Sequence, residues 1–172
     1  LHIVEGISDK ATGQIAVVKE LIRYQSLNHN VDMFTIDEKN NISEISGLNK
    51  LYLFEPDYEK WKYSRRAKKE LEKIITSYDF VHVHGLWLFP HHIGCRLSYK
   101  HKVPYMISLH GMISEWFFKN YFFAKKYQLY LKIIGNTHLN NASLIHTLSE
   151  RETNNFLKIC NYSGEIVEIP NG

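Results

Sequence analysis

Two segments of the chain end a short apolar run with histidine followed by glycine. Residues 79–87 are Asp-Phe-Val-His-Val-His-Gly-Leu-Trp, and residues 104–112 are Pro-Tyr-Met-Ile-Ser-Leu-His-Gly-Met. An imidazole can donate or accept a hydrogen bond near neutral pH, and a glycine lets a ligand approach the backbone closely. The two His-Gly pairs, at 84–85 and 110–111, are therefore the first candidates for binding or catalysis.

The elements that must position these pairs alternate between strands and helices. Residues 15, 18 and 22 and then 67, 71, 74, 75 and 78 are apolar at the three-four spacing of a helix face. This alternation predicts an α/β fold, a Rossmann-like open parallel sheet with helices on both faces. Apolar runs that predict strands lie at 1–5, 31–36, 50–54, 80–84, 104–109, 142–147 and 164–169.

In an open parallel sheet, ligands bind beyond the carboxyl ends of the strands. His84 and His110 should both reach that edge. His82 alternates with His84 and points to the same face, but it lies one step deeper. Its position is more typical of a hydrogen-bonded core histidine than of a ligand contact.

The order of these motifs resembles the N-terminal half of a retaining GT-B glycosyltransferase of family 4, the family that includes sucrose-phosphate synthases and mannosyltransferases. His84 stands at the histidine of that family's Asp-x-x-His-x-His-Gly pattern, beside Gly85. The resemblance implies that His110 contributes to catalysis by orienting and stabilising the reacting groups. It also implies that His84, Gly85 and Gly111 contact substrate.

The segment 6–14, Gly-Ile-Ser-Asp-Lys-Ala-Thr-Gly-Gln, lies between the first strand and the first helix. A helix N-terminus favours anions, so Thr12 as a cap and Gly13 as a point of close approach are substrate-binding candidates. The Gly-x-Gly-x-x-Gly fingerprint is absent, which argues against an ordinary NAD-binding domain. The resembling enzymes usually have two adjacent glycines in this loop, whereas here only Gly13 stands at the helix start. A capped helix with no ligand is as compatible with these residues as a direct contact with substrate.

Ser149 can cap the helix that opens after Thr147, and Glu152 three positions later completes a capping-box pattern. Capping alone explains these residues. The resemblance adds that this turn faces an interdomain cleft, where Ser149 or Glu150 could touch the sugar. Both interpretations stay open.

The chain closes on Pro170-Asn-Gly172, which in the resembling family leads into the hinge between two domains. Residues 1–172 are then one Rossmann-like acceptor-side domain, and the donor-binding domain is absent from this chain. Such a domain alone should be inactive. The alternative is a final strand that simply ends in a turn.

The resemblance implies that no resident cofactor or metal is needed and that a nucleotide-sugar is the co-substrate. Imidazoles bind zinc in other folds, but no nearby carboxylate or cysteine completes a closed site. The candidate zinc ligands are five histidines: His82, His84, His91, His92 and His110. Cys95 and Cys160 form no metal or redox spacing and are predicted to be reduced and buried.

Composition limits the other function classes. A net charge of +3 is too small to imply a nucleic-acid partner. No apolar run reaches membrane-spanning length, and residues 1–5 form a strand-like start instead of a signal peptide, so a cytoplasmic protein is expected. Basic residues crowd one predicted helix at 60–73, and aromatics with lysines crowd the crossover 113–130, which leaves open peripheral contact with the inner face of a membrane.

The resemblance implies a glycosyltransferase of the hexosyltransferase type that uses a nucleotide-sugar and a sugar or lipid-linked acceptor, in polysaccharide or glycolipid biosynthesis. A nucleotide-sugar epimerase of the same architecture is a second hypothesis. A standalone Rossmann-like binding module is a third.

Overall fold

A computed structural model describes residues 1–7, 13–38, 44–120 and 124–171 of the chain. Its centre is a seven-stranded sheet in which every paired strand is parallel, in the order β3-β2-β1-β4-β5-β6-β7. All seven predicted strands are present. The strands are β1 His2–Val4, β2 Asp32–Ile36, β3 Lys50–Phe54, β4 Val81–His84, β5 Tyr105–Ser108, β6 Leu144–Thr147 and β7 Ile166–Glu168.

Helices connect the strands and cover the sheet. Between β5 and β6, residues 115–120 and 124–141 are helical, with a π-helical turn at Leu131–Gly135. Single 3₁₀ turns lie at Glu59–Trp61 and Ile75–Ser77. The α-helices are α1 Gly13–Gln25, α2 Arg65–Ile74, α3 Phe89–His101, α4 Glu115–Asn120, α5 Ala124–Tyr130, α6 Asn136–Asn141 and α7 Glu150–Ile159.

Two apolar clusters lie on opposite faces of the sheet. Neighbouring residues of a strand point to opposite faces, so Val4 of β1 packs with Ile15, Val18 and Ile22 of α1, whereas Ile3 joins the larger cluster around β4 and β5. The two buried free cysteines are consistent with the sequence prediction, although Cys160 follows α7 instead of lying within it.

The basic segment 60–73 does not form one helix. Lys62 interrupts it with a left-handed backbone, φ 51°, between the turn at Glu59–Trp61 and the start of α2. Its ammonium group lies 2.7 Å from a carboxylate oxygen of Asp37. The local pattern could not predict this break, because the partner of Lys62 lies on a different part of the sheet.

The connection pattern places a topological switch between β1 and β4. The chain adds β2 and β3 on one side of β1, and then returns to place β4 on the other side. The segments that follow β1 and β4 therefore diverge from the same point of the carboxyl edge, where open α/β sheets form their ligand crevice.

Candidate active site

Gly85 makes the turn that leaves β4 at the switch point. Its φ is +112°, and a Cβ atom built there would lie 2.8 Å from His91 Cε1. Its N–H donates to the carbonyl of Ser108 over 2.9 Å, which continues the pairing of β4 with β5. Only glycine combines this positive φ with such close contact to His91 without strain.

His110 lies in a tight turn just beyond β5. His110 and Gly111 have φ values of 50° and 75°, and the N–H of Met112 donates to the carbonyl of Leu109 over 3.0 Å. Two successive left-handed central residues are the pattern of a type I′ turn. A left-handed backbone costs a residue other than glycine about 1–2 kcal/mol, so strain is stored at the predicted catalytic histidine.

Glu152 joins this turn to the start of α7. One carboxylate oxygen accepts the N–H of Gly111 in a short hydrogen bond, and the other accepts the N–H of Leu148 over 2.7 Å. Ser149 Oγ accepts the N–H of Glu152 over 3.3 Å, so Ser149 caps α7 as predicted. The Glu152 side chain does not complete a capping box, because its carboxylate oxygens accept the N–H groups of Gly111 and Leu148 instead of the N–H of Ser149.

Buried imidazoles lie behind His110. His84 is 1% exposed and both of its ring nitrogens face other imidazoles, with Nδ1 3.0 Å from His110 Nε2 and Nε2 2.8 Å from His2 Nδ1. His82, as expected of a core residue, is buried and lies 2.6 Å from Ser108 Oγ. Ser108 Oγ in turn lies 2.7 Å from His146 Nδ1.

Burial keeps the imidazoles of His2, His82, His84 and His110 neutral at physiological pH. Desolvation is the main cause that lowers the pKa of His2 and of His110 to about 4, and it lowers the pKa values of His82 and His84 well below the usual 6.5. Neighbouring imidazoles lower the pKa values of His82, His84 and His110 further. A neutral His110 can orient a hydroxyl group through a hydrogen bond, but it is a weak base.

His91 adds an unsatisfied donor next to Gly85. Its Nδ1 accepts the N–H of Leu88 over 3.3 Å, so the proton of the neutral ring is on Nε2. Nε2 is buried and has no hydrogen-bond partner within the described residues. Burial lowers the pKa of this histidine to about 3.

The other predicted site residues lie along the same edge. Gly13 begins α1 with open space where a Cβ would stand, and the side-chain amide of its neighbour Gln14 donates to the carbonyl of His84 over 2.8 Å. Ser149 and Glu150 are exposed at the start of α7. Thr12 falls outside the described residues. Hydrogen bonds thus connect the start of α1, the end of β4, the turn at 110–111 and the start of α7.

A charged group at the ends of β1 and β2 was not predicted from the sequence. Asp37 Oδ2 accepts the N–H of Ile7 over 2.9 Å, and Asp37 Oδ1 accepts from Lys62. Desolvation raises the pKa of Glu5, although Lys62 opposes the shift. The only sequence signal was the position of Glu5 and Asp37 just after predicted strands.

Aromatic residues of the crossover between β5 and β6 pack partly against the loop after β4. Trp87 contacts the rings of Phe118, Tyr127 and Tyr130, and the Tyr130 hydroxyl donates to the carbonyl of Leu86 over 2.8 Å. These rings therefore stabilise the loop next to the site. None of the described helices is long and apolar enough to cross a membrane.

Among the described residues, one group of side chains could hold a metal ion: His2, His82 and His84. Their candidate ligand atoms lie within 4.8 Å of one another, and all three residues are buried. His2 is not among the histidines predicted above as candidate zinc ligands. The 2.8 Å between His2 Nδ1 and His84 Nε2 is a hydrogen-bond distance, whereas two nitrogen ligands of a tetrahedral zinc ion are about 3.3 Å apart.

The chain belongs to glycosyltransferase family 4, whose sequence model matches residues 11–172. The fold, the position of the switch point and the two His-Gly turns thus agree with the resemblance drawn from the sequence. No curated protein matches the chain by sequence.

Two solved structures share the fold. HepE from Anabaena, crystallised in complex with UDP, aligns with a TM-score of 0.65 and 12% identity over 99% of this chain. Sucrose-phosphate synthase from Thermosynechococcus elongatus aligns with a TM-score of 0.62 and 14% identity over 93% of this chain. The chain spans 43% of the length of each of these proteins.

Proposed function

We propose that this chain is the acceptor-binding domain of an enzyme that transfers a sugar from a nucleotide-sugar to an acceptor hydroxyl with retention, in polysaccharide or glycolipid biosynthesis. The observation that carries the proposal is the placement of His110. It is a neutral, partly exposed imidazole on a strained turn at the carboxyl edge of the sheet. Its ring is hydrogen-bonded to His84, and Glu152 accepts the N–H of the neighbouring Gly111.

The proposed transfer exchanges one bond at the anomeric carbon for another. The acceptor oxygen bonds to that carbon as the bond to the diphosphate oxygen breaks, on the same face of the sugar. The hydroxyl proton passes to the leaving diphosphate. His110 orients a reacting hydroxyl through a hydrogen bond and need not remove its proton, which suits an imidazole with a lowered pKa.

The donor site is assigned to a further domain that is not part of this chain. The chain spans 43% of HepE, and HepE was crystallised with UDP, which supports a nucleoside diphosphate as the leaving group. In this proposal Gly13, Gly85 and Gly111 allow close approach of the substrate to the backbone, while Ser149 and Glu150 face the cleft between the domains. No resident metal or cofactor is proposed.

Exposed apolar and basic side chains on the helical stretch 124–135 support a lipid-linked acceptor and peripheral membrane contact. Leu129 and Ile133 lie one helical turn apart and are 57% and 63% exposed, next to the exposed lysines 125, 126 and 132. Exposed apolar groups beside lysines suit an anionic lipid surface. Co-sedimentation with anionic phosphatidylglycerol vesicles should fall when Leu129 and Ile133 are both changed to Ser, and unchanged co-sedimentation would remove this part of the proposal.

The proposed function is tested with the complete protein and a panel of UDP-, GDP- and ADP-sugars, with nucleotide release and the new glycoside as readouts. His110→Gly should lose transfer, whereas His29→Ala, at an exposed histidine, should retain it. Residues 1–172 alone should transfer no sugar. A free epimerised sugar would favour the epimerase hypothesis, and no binding or turnover with any nucleotide-sugar would favour the binding module.

A further inference from the structure

A continuous series of hydrogen-bonding groups runs from the end of α1 to His110. Gln25 Oε1 lies 2.7 Å from His2 Nε2, His2 Nδ1 lies 2.8 Å from His84 Nε2, and His84 Nδ1 lies 3.0 Å from His110 Nε2. His2 and His84 are 3% and 1% exposed, so water cannot readily replace these contacts. We call these four residues the histidine relay.

The relay permits only two proton arrangements while its imidazoles are neutral. A neutral imidazole has one N–H and one lone pair, so each ring that donates on one side must accept on the other. All three protons then lie on Nε2 or all three lie on Nδ1. Burial lowers the pKa values of His2 and His110 to about 4 and that of His84 well below 6.5, which keeps the rings neutral.

Gln25 selects between the two arrangements. Its carbonyl oxygen faces His2, so His2 Nε2 must donate to it. His84 Nε2 then donates to His2 Nδ1, and His110 Nε2 donates to His84 Nδ1. This arrangement leaves a lone pair on His110 Nδ1, which has no hydrogen-bond partner within the described residues.

We propose that Gln25, His2 and His84 are positioning residues that fix the tautomer of His110, so that its Nδ1 accepts a hydrogen bond from a substrate hydroxyl. The identity of that hydroxyl, on the acceptor or the sugar, rests on the proposed function. The tautomer of His110 does not depend on the proposed function, because it follows from the hydrogen bonds of the relay alone. None of the three positioning residues needs to touch the substrate.

A second series of hydrogen bonds in the core runs from His82 through Ser108 and His146 to the carbonyl of Ile169, and its donors also all point one way. His146 Nε2 lies 2.8 Å from the carbonyl of Ile169, which can only accept, so His146 Nδ1 accepts from Ser108. Ser108 Oγ then accepts from His82 Nε2. His82 Nε2 is thus already hydrogen-bonded to Ser108, and the His82 ring lies against that of His84 with centroids 3.8 Å apart and an interplanar angle of 32°. Both ring nitrogens of His2 and of His84, and Nε2 of His82, thus have hydrogen-bond partners in the core.

The test uses two substitutions at the partly buried Gln25 that differ in hydrogen-bonding capacity. Gln25→Glu provides only acceptors, and Gln25→Lys provides only donors. In the complete protein labelled with ¹⁵N in the histidine rings, long-range ¹H–¹⁵N spectra show which ring nitrogen is protonated. Loss of one set of signals in His110→Gly assigns His110.

The native protein and Gln25→Glu should show His110 protonated on Nε2, and Gln25→Lys should move the proton to Nδ1. Turnover should fall about tenfold or more in Gln25→Lys with little change in KM, and should stay near native in Gln25→Glu. Protonation of Nδ1 in the native protein would overturn the relay. So would the same His110 tautomer in both variants, or zinc coordination by His2, His82 and His84. The native spectrum decides the question even if Gln25→Lys does not fold.

The two proposals can fail separately. A relay that responds as expected in a protein without transferase activity would remove the proposed function and leave the relay intact. Active transferase with a His110 tautomer that ignores residue 25 would remove the relay alone.

Discussion

The carboxylate of Glu152 accepts the N–H of Gly111 on one oxygen and the N–H of Leu148 on the other. These two backbone groups belong to the turns after β5 and β6, so a single buried side chain fixes the separation of two site loops. The bond to Gly111 also restrains the neighbouring His110, whose backbone is left-handed. Family membership alone would not have indicated this role for Glu152.

Glu152→Gln should loosen the His110 turn. The amide has one acceptor oxygen, so one of the two N–H groups would face an NH₂ group and remain unpaired, at a cost of about 1–3 kcal/mol. The unfolding free energy, measured with urea, should fall accordingly, and turnover of the complete protein should fall with it. Glu150→Gln, which removes an exposed charge from the same helix turn, is the control for stability. Equal stability of the two variants would contradict the bridging role.

His110→Gly should separate function from folding. It removes the imidazole but accepts the left-handed backbone, so relief of strain offsets the lost hydrogen bond to His84 and stability should stay within about 1 kcal/mol. Turnover should fall about 100-fold or more. Near-native turnover in this variant would rule out the assigned role.

His82→Ala should have the opposite result. It leaves a cavity in the core and removes one of the two hydrogen-bond partners of Ser108 Oγ, so the unfolding free energy should fall by about 2–4 kcal/mol. Activity per folded molecule should fall much less than in His110→Gly. Urea unfolding together with an active-site titration distinguishes these effects, and unchanged stability would argue against a core role.

Gly85→Ala and Gly13→Ala form a matched pair. At Gly85 the new methyl group meets His91 Cε1 at 2.8 Å in a backbone with φ +112°, so the protein should lose more than about 2 kcal/mol of stability. At Gly13 the methyl group has open space at a helix start, so stability should be maintained or slightly improved. A rise in KM for Gly13→Ala would indicate that substrate approaches this backbone. Equal stability of the two variants would contradict the turn geometry.

Stability should decrease in mild acid. His2 and His110 have folded-state pKa values of about 4 against the usual 6.5, so the unfolded chain takes up protons that the folded chain rejects. Stability is therefore full above about pH 6.5 and falls as the pH drops toward 4, by about 1.4 kcal/mol per pH unit for each such histidine. Urea unfolding at a series of pH values measures the slope. A flat profile over this window would show that the imidazoles are not buried as neutral rings.

The local sequence pattern predicted the sheet well because each strand is a short apolar run between turns. The convergence of His84 and His110 followed from the rule that parallel strands share one carboxyl edge. These predictions needed only local pattern and one topological rule.

The rest depends on contacts that are distant in sequence. His2 meets His84, 82 positions away, and Gln25, 23 positions away, and neither spacing has a local signature. The predicted basic helix is interrupted at Lys62, which has a left-handed backbone and pairs with Asp37, 25 positions away. The carboxylate of Glu152 fitted a capping box equally well, and only the fold shows that it reaches Gly111.

The most direct test of the central claim is product analysis with the complete protein, comparing the native protein and His110→Gly. With UDP-, GDP- and ADP-sugars and a panel of saccharide and lipid-linked acceptors, the native protein should form a glycoside that keeps the anomeric configuration of the donor, and His110→Gly should form almost none. A product of inverted configuration, or equal yields from the two proteins, would contradict the account.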